Sequence, residues 1–502
     1  MQNTKESESL IAWLPALLFT GRKFESGLAL VSDNAGAIVK IVRADELTGE
    51  QKMRLSNRAV LPGMVNAHSH AFQRVLRGRT EYRTAPLPFR GGLLPARSDG
   101  SPALNDSADS FWTWREMMYS AATRLTPDDI YDASRMAFLE MALSGITAVG
   151  EFHYLHHAPD SALYDDPNLL AKEVIRAAGD TGVRIALLRV AYARSGFQTE
   201  PNLKQTRFDP EIYLKNLEAL IDGVGSPSVS EGKPANQALP NGRASDTAWV
   251  GVAPHSVRAV PLAYLREVVG FANKRNLKVH MHVAEQPAEV SACVEEYQRT
   301  PFALLETEGL LSERFTAVHA IHVTCACPTT ERNLGDGVVP ADAYFKHGVQ
   351  ICLGTDSQAQ IDLLEDAREL EYHLRLQKLE RAVLSVRSPS VSEGSQPQQA
   401  LPDGQVSAIT ARLFDCAARS IGASGGALEP GRPADFFAVD LGDPAIAGAT
   451  ADDLLPSIVF ASSRVAVREV IVAGRPIVSE GRHLIQEEVV EKFNELQKRL
   501  WG

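Results

Sequence analysis

The sequence predicts an α/β architecture, an eight-stranded parallel (β/α)8 barrel joined to a small β domain drawn from both ends of the chain. Three observations carry this. Short apolar runs alternate with longer helix-patterned stretches through the middle of the chain, which is the signature of βα units. Both ends instead carry β-rich runs punctuated by turn residues. A chain of 502 residues is too long for one ordinary compact domain but suits a barrel plus a smaller unit.

At the start, the apolar run from Ile11 to Phe19 is short and contains Pro15, so it reads as a strand. The segment before it is polar and acidic where a secretion signal would be basic. Runs at 28–31 and 37–42 flank the turn-forming Asp33-Asn34-Ala35-Gly36 and predict a hairpin. The barrel strands are predicted at 59–65, 146–152, 183–190, 249–253, 278–283, 315–321, 325–327 and 349–353. Near the other end, β runs are expected at 435–440, 458–460 and 465–472, with a turn at Gly474-Arg475-Pro476. Residues 487–500 have the pattern of an amphipathic helix. The expected division is 1–60 for the first part of the β domain, 61–427 for the barrel and 428–502 for the second part with its helix.

Composition limits the function. Lys+Arg total 51 against Asp+Glu 62, a net charge of −11, which argues against a nucleic-acid or anionic-membrane partner. An acidic small substrate would need local arginines acting against this field. The five cysteines are an odd, sparse set, so no disulfide framework is expected, and Cys325 and Cys327 read as buried strand thiols. No uncharged run reaches transmembrane length, and the cytoplasm is the expected location. Segments 226–242 and 388–404 both open SPSVSEG and share 12 of 17 positions. They lack helix or strand periodicity and read as a duplicated low-complexity insert on surface loops.

The chemistry lies at the strand ends, where a barrel places its active site. His68 and His70 follow an apolar run, and residues two apart on a strand point to one side, so both imidazoles can reach one ion. His280 and His282 close another strand. Glu285 stands three residues beyond His282, placed to move protons beside a metal. His319 and His322 come next, then Asp356 after the last strand, as a hard oxygen ligand or a proton acceptor.

This ordered set resembles the amidohydrolase superfamily over nearly the whole chain. The resemblance implies a TIM-like barrel flanked by a β-sandwich built from both termini, and one Zn2+ per chain. It implies His68, His70, His282 and Asp356 as ligands, with Glu285, His319 and Asp356 catalytic. His319 is preferred to His322 because the family's histidine comes first in such a run. Strand four ends in Pro254-His255 without a bridging lysine, as in the one-metal deaminase branch. Longer strings at 68–74, 109–115, 151–157, 253–258 and 327–337 resemble formimidoylglutamate deiminases of histidine breakdown. That resemblance implies Gln73, Arg115, Tyr154, His255 and Arg258 as substrate contacts. Arg115 and Arg258 could fork onto the carboxylates of N-formimino-L-glutamate. Trp112 and Trp114 read as packing residues, and His153, His156 and His157 as no second metal centre. The implied partner is a small acidic substrate, and the assembly considered is a homodimer.

One feature departs from the family. Strand six ends near His322 and strand seven begins by Cys325, leaving no room for a crossover helix, which needs about ten to twelve residues with its turns. The expected reaction is metal-assisted hydrolysis to N-formyl-L-glutamate and ammonia. The alternatives are a related deaminase acting on a purine or pterin ring, or a barrel scaffold impaired by the lost helix.

Overall fold

The computed structural model describes residues 10–81, 111–197, 212–224, 247–319, 323–384 and 412–502. Eight parallel strands make the barrel: β1 (Met64–Ser69), β2 (Ile146–His153), β3 (Arg184–Ala191), β4 (Ala248–Pro254), β5 (Val279–His282), β6 (Phe315–Val318), β7 (Val323–Ala326) and β8 (Gln350–Leu353). Each pairs with its neighbours in sequence order. β1, β2 and β3 are buried along their whole length, as expected of parallel strands covered on both faces. The ring closes just beyond β8. There Asp356 N–H donates to His68 O and His70 N–H donates to Asp356 O, each at 3.0 Å. Closure and metal site therefore share the same residues.

The terminal strands form one nine-stranded mixed sheet. The hairpin of Leu28–Ser32 with Ile38–Arg43 forms as expected. Strand Phe436–Asp440 from the far end pairs antiparallel with Gln51–Pro62 from the near end. This sheet has its own core, including Trp13, Leu30, Val60, Phe436 and Ile471. A buried ion pair, Arg184 Nε to Asp435 Oδ2 at 2.7 Å, ties it to β3. The terminal helix Gln486–Trp501 lies against helix Pro127–Leu143, where Arg135 donates to both oxygens of Glu488.

Two expected strands differ. The run at 59–65 belongs to two strands, because the chain leaves the terminal sheet and enters β1 at Gly63. A Cβ there would sit 2.2 Å from Thr147 Oγ1, so only glycine permits the approach. The run at 458–460 is part of helix Leu454–Ala461. Its buried residues Leu454, Leu455, Ile458 and Val459 follow helical spacing, and Pro456 lies in the first turn, where its missing N–H costs nothing.

The short connection is real. β6 and β7 are parallel neighbours, with Ala317 opposite Thr324 and Val318 opposite Cys325, and only residues 319–322 lie between them. No helix fits there, yet the eight-stranded order is kept. Both copies of the insert, and His322, lie outside the described residues.

Candidate active site

The four expected ligands converge at the open end of the barrel. His68 Nε2 lies 3.2 Å from His70 Nε2 and 3.1 Å from His282 Nε2, and Asp356 Oδ1 lies 3.5 Å from His68 Nε2 and 3.2 Å from His70 Nε2. A tetrahedral ion with bonds of about 2.0–2.1 Å places its ligand atoms about 3.3–3.4 Å apart. The observed spacings fall close to that figure. Backbone carbonyls set the ring orientation. His70 Nδ1 faces Phe152 O at 2.9 Å and His282 Nδ1 faces His255 O at 3.2 Å, which makes each Nδ1 the donor and turns the Nε2 lone pairs inward. Buried lone pairs that face one another without a proton between them fit a cation.

The electrostatics agree. Burial pushes the His68 imidazole down to about 4, against the upward pull of Asp356. His282 is also pushed well down, by burial first and then by the neighbouring histidines. Burial alone would raise Asp356, but the neighbouring imidazoles of His68 and His70 hold it well below the usual carboxylate range. His68, His282 and Asp356 are thus ready to ligate at neutral pH without losing protons. Among the described residues, no other group of three or more His, Cys, Asp or Glu side chains has metal-ligand spacing, so His153, His156 and His157 form no second centre there.

Around the ligands the backbone is strained. Ala284, His319 and Asp356 all have left-handed φ, of 59°, 71° and 47°. Non-glycine residues rarely adopt this conformation, and it clusters at functional sites. It turns the chain sharply at the ends of β5, β6 and β8, so that Glu285, His319 and Asp356 face the same space. His319 Nε2 lies 3.8 Å from Asp356 Oδ2, and its Nδ1 lies 3.2 Å from Glu331 Oε1. Burial would lower His319, yet the bond to Glu331 and the charges of Glu285 and Asp356 hold it at about 10. Asp336 is pushed up to about 8 by burial and by Glu285.

The residues implied as substrate contacts lie beside this centre. The His255 ring is 4.8 Å from the His282 ring and 4.5 Å from Tyr192. Gln73 Nε2 donates to Tyr154 Oη at 2.8 Å, and the Tyr154 ring lies 5.2 Å from His70. Both guanidinium groups converge on Trp112, Arg115 at 5.5 Å and Arg258 at 5.8 Å from the ring centroid. Trp112 is 39% exposed, so it is a platform for cations and not the packing residue expected from its sequence setting. The two arginines differ. Arg115 is held by Tyr119, Tyr192 and Ser195 O at 3.2–3.4 Å. Arg258 is 5% exposed, and its Nε and Nη1 have no partner.

Sequence reasoning missed several supporting residues. Asn66 Oδ1 accepts from His68 N and Thr355 N, joining β1 to the end of β8. Glu151 accepts from Ser69 Oγ and Ala71 N, and burial pushes it up to about 7. Glu331 and Asp336 lie within the 327–337 string, and that string was their only signal. Tyr119 and Tyr192 sit on a helix face and just past β3, and nothing in the sequence marks them as partners of Arg115.

Comparison with known proteins agrees with this geometry. The amidohydrolase family model matches residues 59–477. Formimidoylglutamate deiminase from Pseudomonas aeruginosa is 34% identical over 456 residues, covering 87% of this chain and 88% of that protein. A 5-methylthioadenosine/S-adenosylhomocysteine deaminase from Haloarcula marismortui is 25% identical over 480 residues, 93% of this chain and 90% of that one. A crystal structure of an amidohydrolase from Brucella melitensis superposes with a TM-score of 0.76 at 29% identity, over 99% of this chain and 100% of that one. A zinc-bound adenosine deaminase from Xanthomonas campestris shares the fold, with a TM-score of 0.71 at 20% identity over 98% of each chain. With the strand-end histidines and aspartate gathered as that family requires, the chain belongs to the amidohydrolase family, as a hydrolase acting on C–N bonds.

Proposed function

We propose that this chain hydrolyses N-formimino-L-glutamate to N-formyl-L-glutamate and ammonia, a step of histidine breakdown, with one zinc ion per chain. The observation that carries the reading is the pairing of a metal-ligand cluster with two guanidinium groups on one tryptophan. A purine ring calls for no such fork, whereas a dicarboxylate does. The identity of 34% to a formimidoylglutamate deiminase supports the same substrate.

His68, His70, His282 and Asp356 would hold the ion. When bound, a divalent ion supplies the Lewis acidity that makes water a nucleophile near neutral pH. Asp356 takes the proton of the attacking water, and His319, braced by Glu331, orients it. The water oxygen adds to the formimino carbon and Glu285 delivers a proton to the terminal imino nitrogen. As the remaining hydroxyl proton passes to that nitrogen the carbonyl forms, the bond from the carbon to it breaks and ammonia leaves, and the proton held by Asp356 returns Glu285 to its acid form. Arg115 and Arg258 hold the carboxylates, with Gln73, Tyr154 and His255 lining the pocket.

The test is ammonia release from N-formimino-L-glutamate by zinc-loaded protein, run beside guanine and 5-methylthioadenosine. Turnover of the formimino compound alone is the expected result. Turnover of a purine alone selects the ring-deaminase reading, to which the Haloarcula relative is similar. Full metal loading without turnover of any of them selects the impaired scaffold, which the short 319–322 connection favours.

A further inference from the structure

Glu285 and His319 leave the ends of neighbouring strands. β5 and β6 pair with His282 opposite Val318, and Val283 N–H donates to Val318 O at 3.0 Å. Beyond β5 the chain turns through left-handed Ala284 to Glu285 and Gln286, and beyond β6 it turns at His319. The helix that follows β7, Pro328–Leu334, reaches both turns. At its start, Glu331 Oε1 accepts from Cys327 N at 3.0 Å and lies 3.2 Å from His319 Nδ1. At its end, Gly335 has a φ of 72°, and the N–H groups of Gly335 and Asp336 both donate to Glu331 O. This turn brings Asp336 to Gln286, whose Nε2 donates to Asp336 Oδ1. Gln286 is the N-cap of helix Pro287–Tyr297, yet its side chain makes no cap bond there. The helix between the two contacts is pinned to the barrel. Thr329 N and Oγ1 donate to Asp366 Oδ1 at 3.1 and 2.8 Å, and Thr330 Oγ1 donates to Thr355 O at 3.1 Å.

We infer that Asp336 is a positioning residue for Glu285 and acts through the side chain of Gln286, so that one short helix braces both proton-handling groups. Glu331 holds His319, and Asp336 holds the turn that carries Glu285. This rests on the reading of Glu285 as proton donor and deepens it. A left-handed conformation such as that of Ala284 persists only where its surroundings over-determine it. The bond from Gln286 to Asp336 fixes the chain on the far side of Glu285 from that residue. A general acid must stay within hydrogen-bond reach of the atom it serves, so a loosened turn lowers the rate without touching the metal ligands.

The test measures ammonia release from N-formimino-L-glutamate by zinc-loaded protein, beside hydrogen exchange of residues 283–290. Asp336→Ala and Gln286→Ala should each lower kcat at least about tenfold, with KM within about twofold and zinc content unchanged. The double variant should lose no more than either single one, because both remove the same bond. Asp336→Asn keeps the Oδ1 acceptor and should retain most of the wild-type kcat. In a Glu285→Gln background, Asp336→Ala should cost nothing further, since the group it positions is already disabled. General structural damage would still be felt there. Exchange at 283–290 should rise in Asp336→Ala and not in Asp336→Asn. Unchanged kcat and exchange in Asp336→Ala, a loss that persists in full beside Glu285→Gln, or equal losses in the Asn and Ala variants overturn the inference. If the wild type releases no ammonia from N-formimino-L-glutamate, the functional reading fails and exchange alone decides the brace. A rise in Asp336→Ala but not Asp336→Asn then upholds it, and any other pattern overturns it.

Discussion

Replacing Arg258 with Met separates substrate recognition from folding, because the two should move differently. In the folded protein this guanidinium is 5% exposed with Nε and Nη1 unpartnered. Each buried donor left unmet costs about 1–3 kcal/mol. Methionine fills most of the same apolar volume without those donors, so the midpoint of thermal unfolding should hold or rise. On the proposed function, a substrate carboxylate matches the same fork in the complex. Removing it forfeits about 2–5 kcal/mol, which is a loss of roughly thirtyfold to several thousandfold in kcat/KM at about 1.4 kcal/mol per tenfold. Arg115→Met is the contrast. That side chain is bonded to Tyr119, Tyr192 and Ser195 O, so its loss should lower both stability and kcat/KM. The assay is ammonia release from N-formimino-L-glutamate and from a neutral formimino compound, beside thermal unfolding. If Arg258→Met unfolds earlier while still discriminating between the two compounds as the wild type does, Arg258 is structural and the recognition argument fails.

Three further outcomes follow from the site. Glu285→Gln should lose at least about a hundredfold in kcat, as for a general acid–base group, with zinc content unchanged, and near-normal turnover would refute the role. Apo-protein should take up one divalent ion per chain at pH 7. Uptake should fade as pH drops toward about 4, because His68, held down to about 4, is neutral above that value and protonated below it, and dialysis with metal analysis across pH checks the sign. Gly354→Ala should cost about 1–3 kcal/mol and impair metal uptake, since its Cβ would lie 2.8 Å from His68 Cβ and 2.9 Å from His68 O, and undiminished zinc content would show that the strands can part there.

The barrel and its ligands were legible from sequence for a simple reason. Parallel strands buried on both faces read as apolar runs, and a histidine just past such a run can only stand at the strand's end. The pattern placed His68, His70, His282, His319 and Asp356 at strand ends, and the resemblance to the amidohydrolases supplied their roles before any contact was known. The same argument failed where periodicity was too short to decide. Three apolar residues at 458–460 fit a strand or a helix equally, and the helix was settled by packing of Leu454 and Leu455 beside them. The division at Gly63 was marked in the sequence by the breaker pair Pro62-Gly63, and reading a single strand across 59–65 passed over it.

By itself, then, the sequence determined the fold class and the ring order of strands, since these depend on local pattern and chain direction, and its resemblance to a family picked out which strand-end side chains gather. Only the tertiary structure decided what the gathered groups do to one another. It placed Glu331 against His319, turned Trp112 outward beneath two guanidinium groups, and buried Arg258 with two of its nitrogens unpartnered. The residues in each of these relations are far apart in the chain or hidden by their neighbours. Their energies depend on burial and distance in space, which no local pattern records.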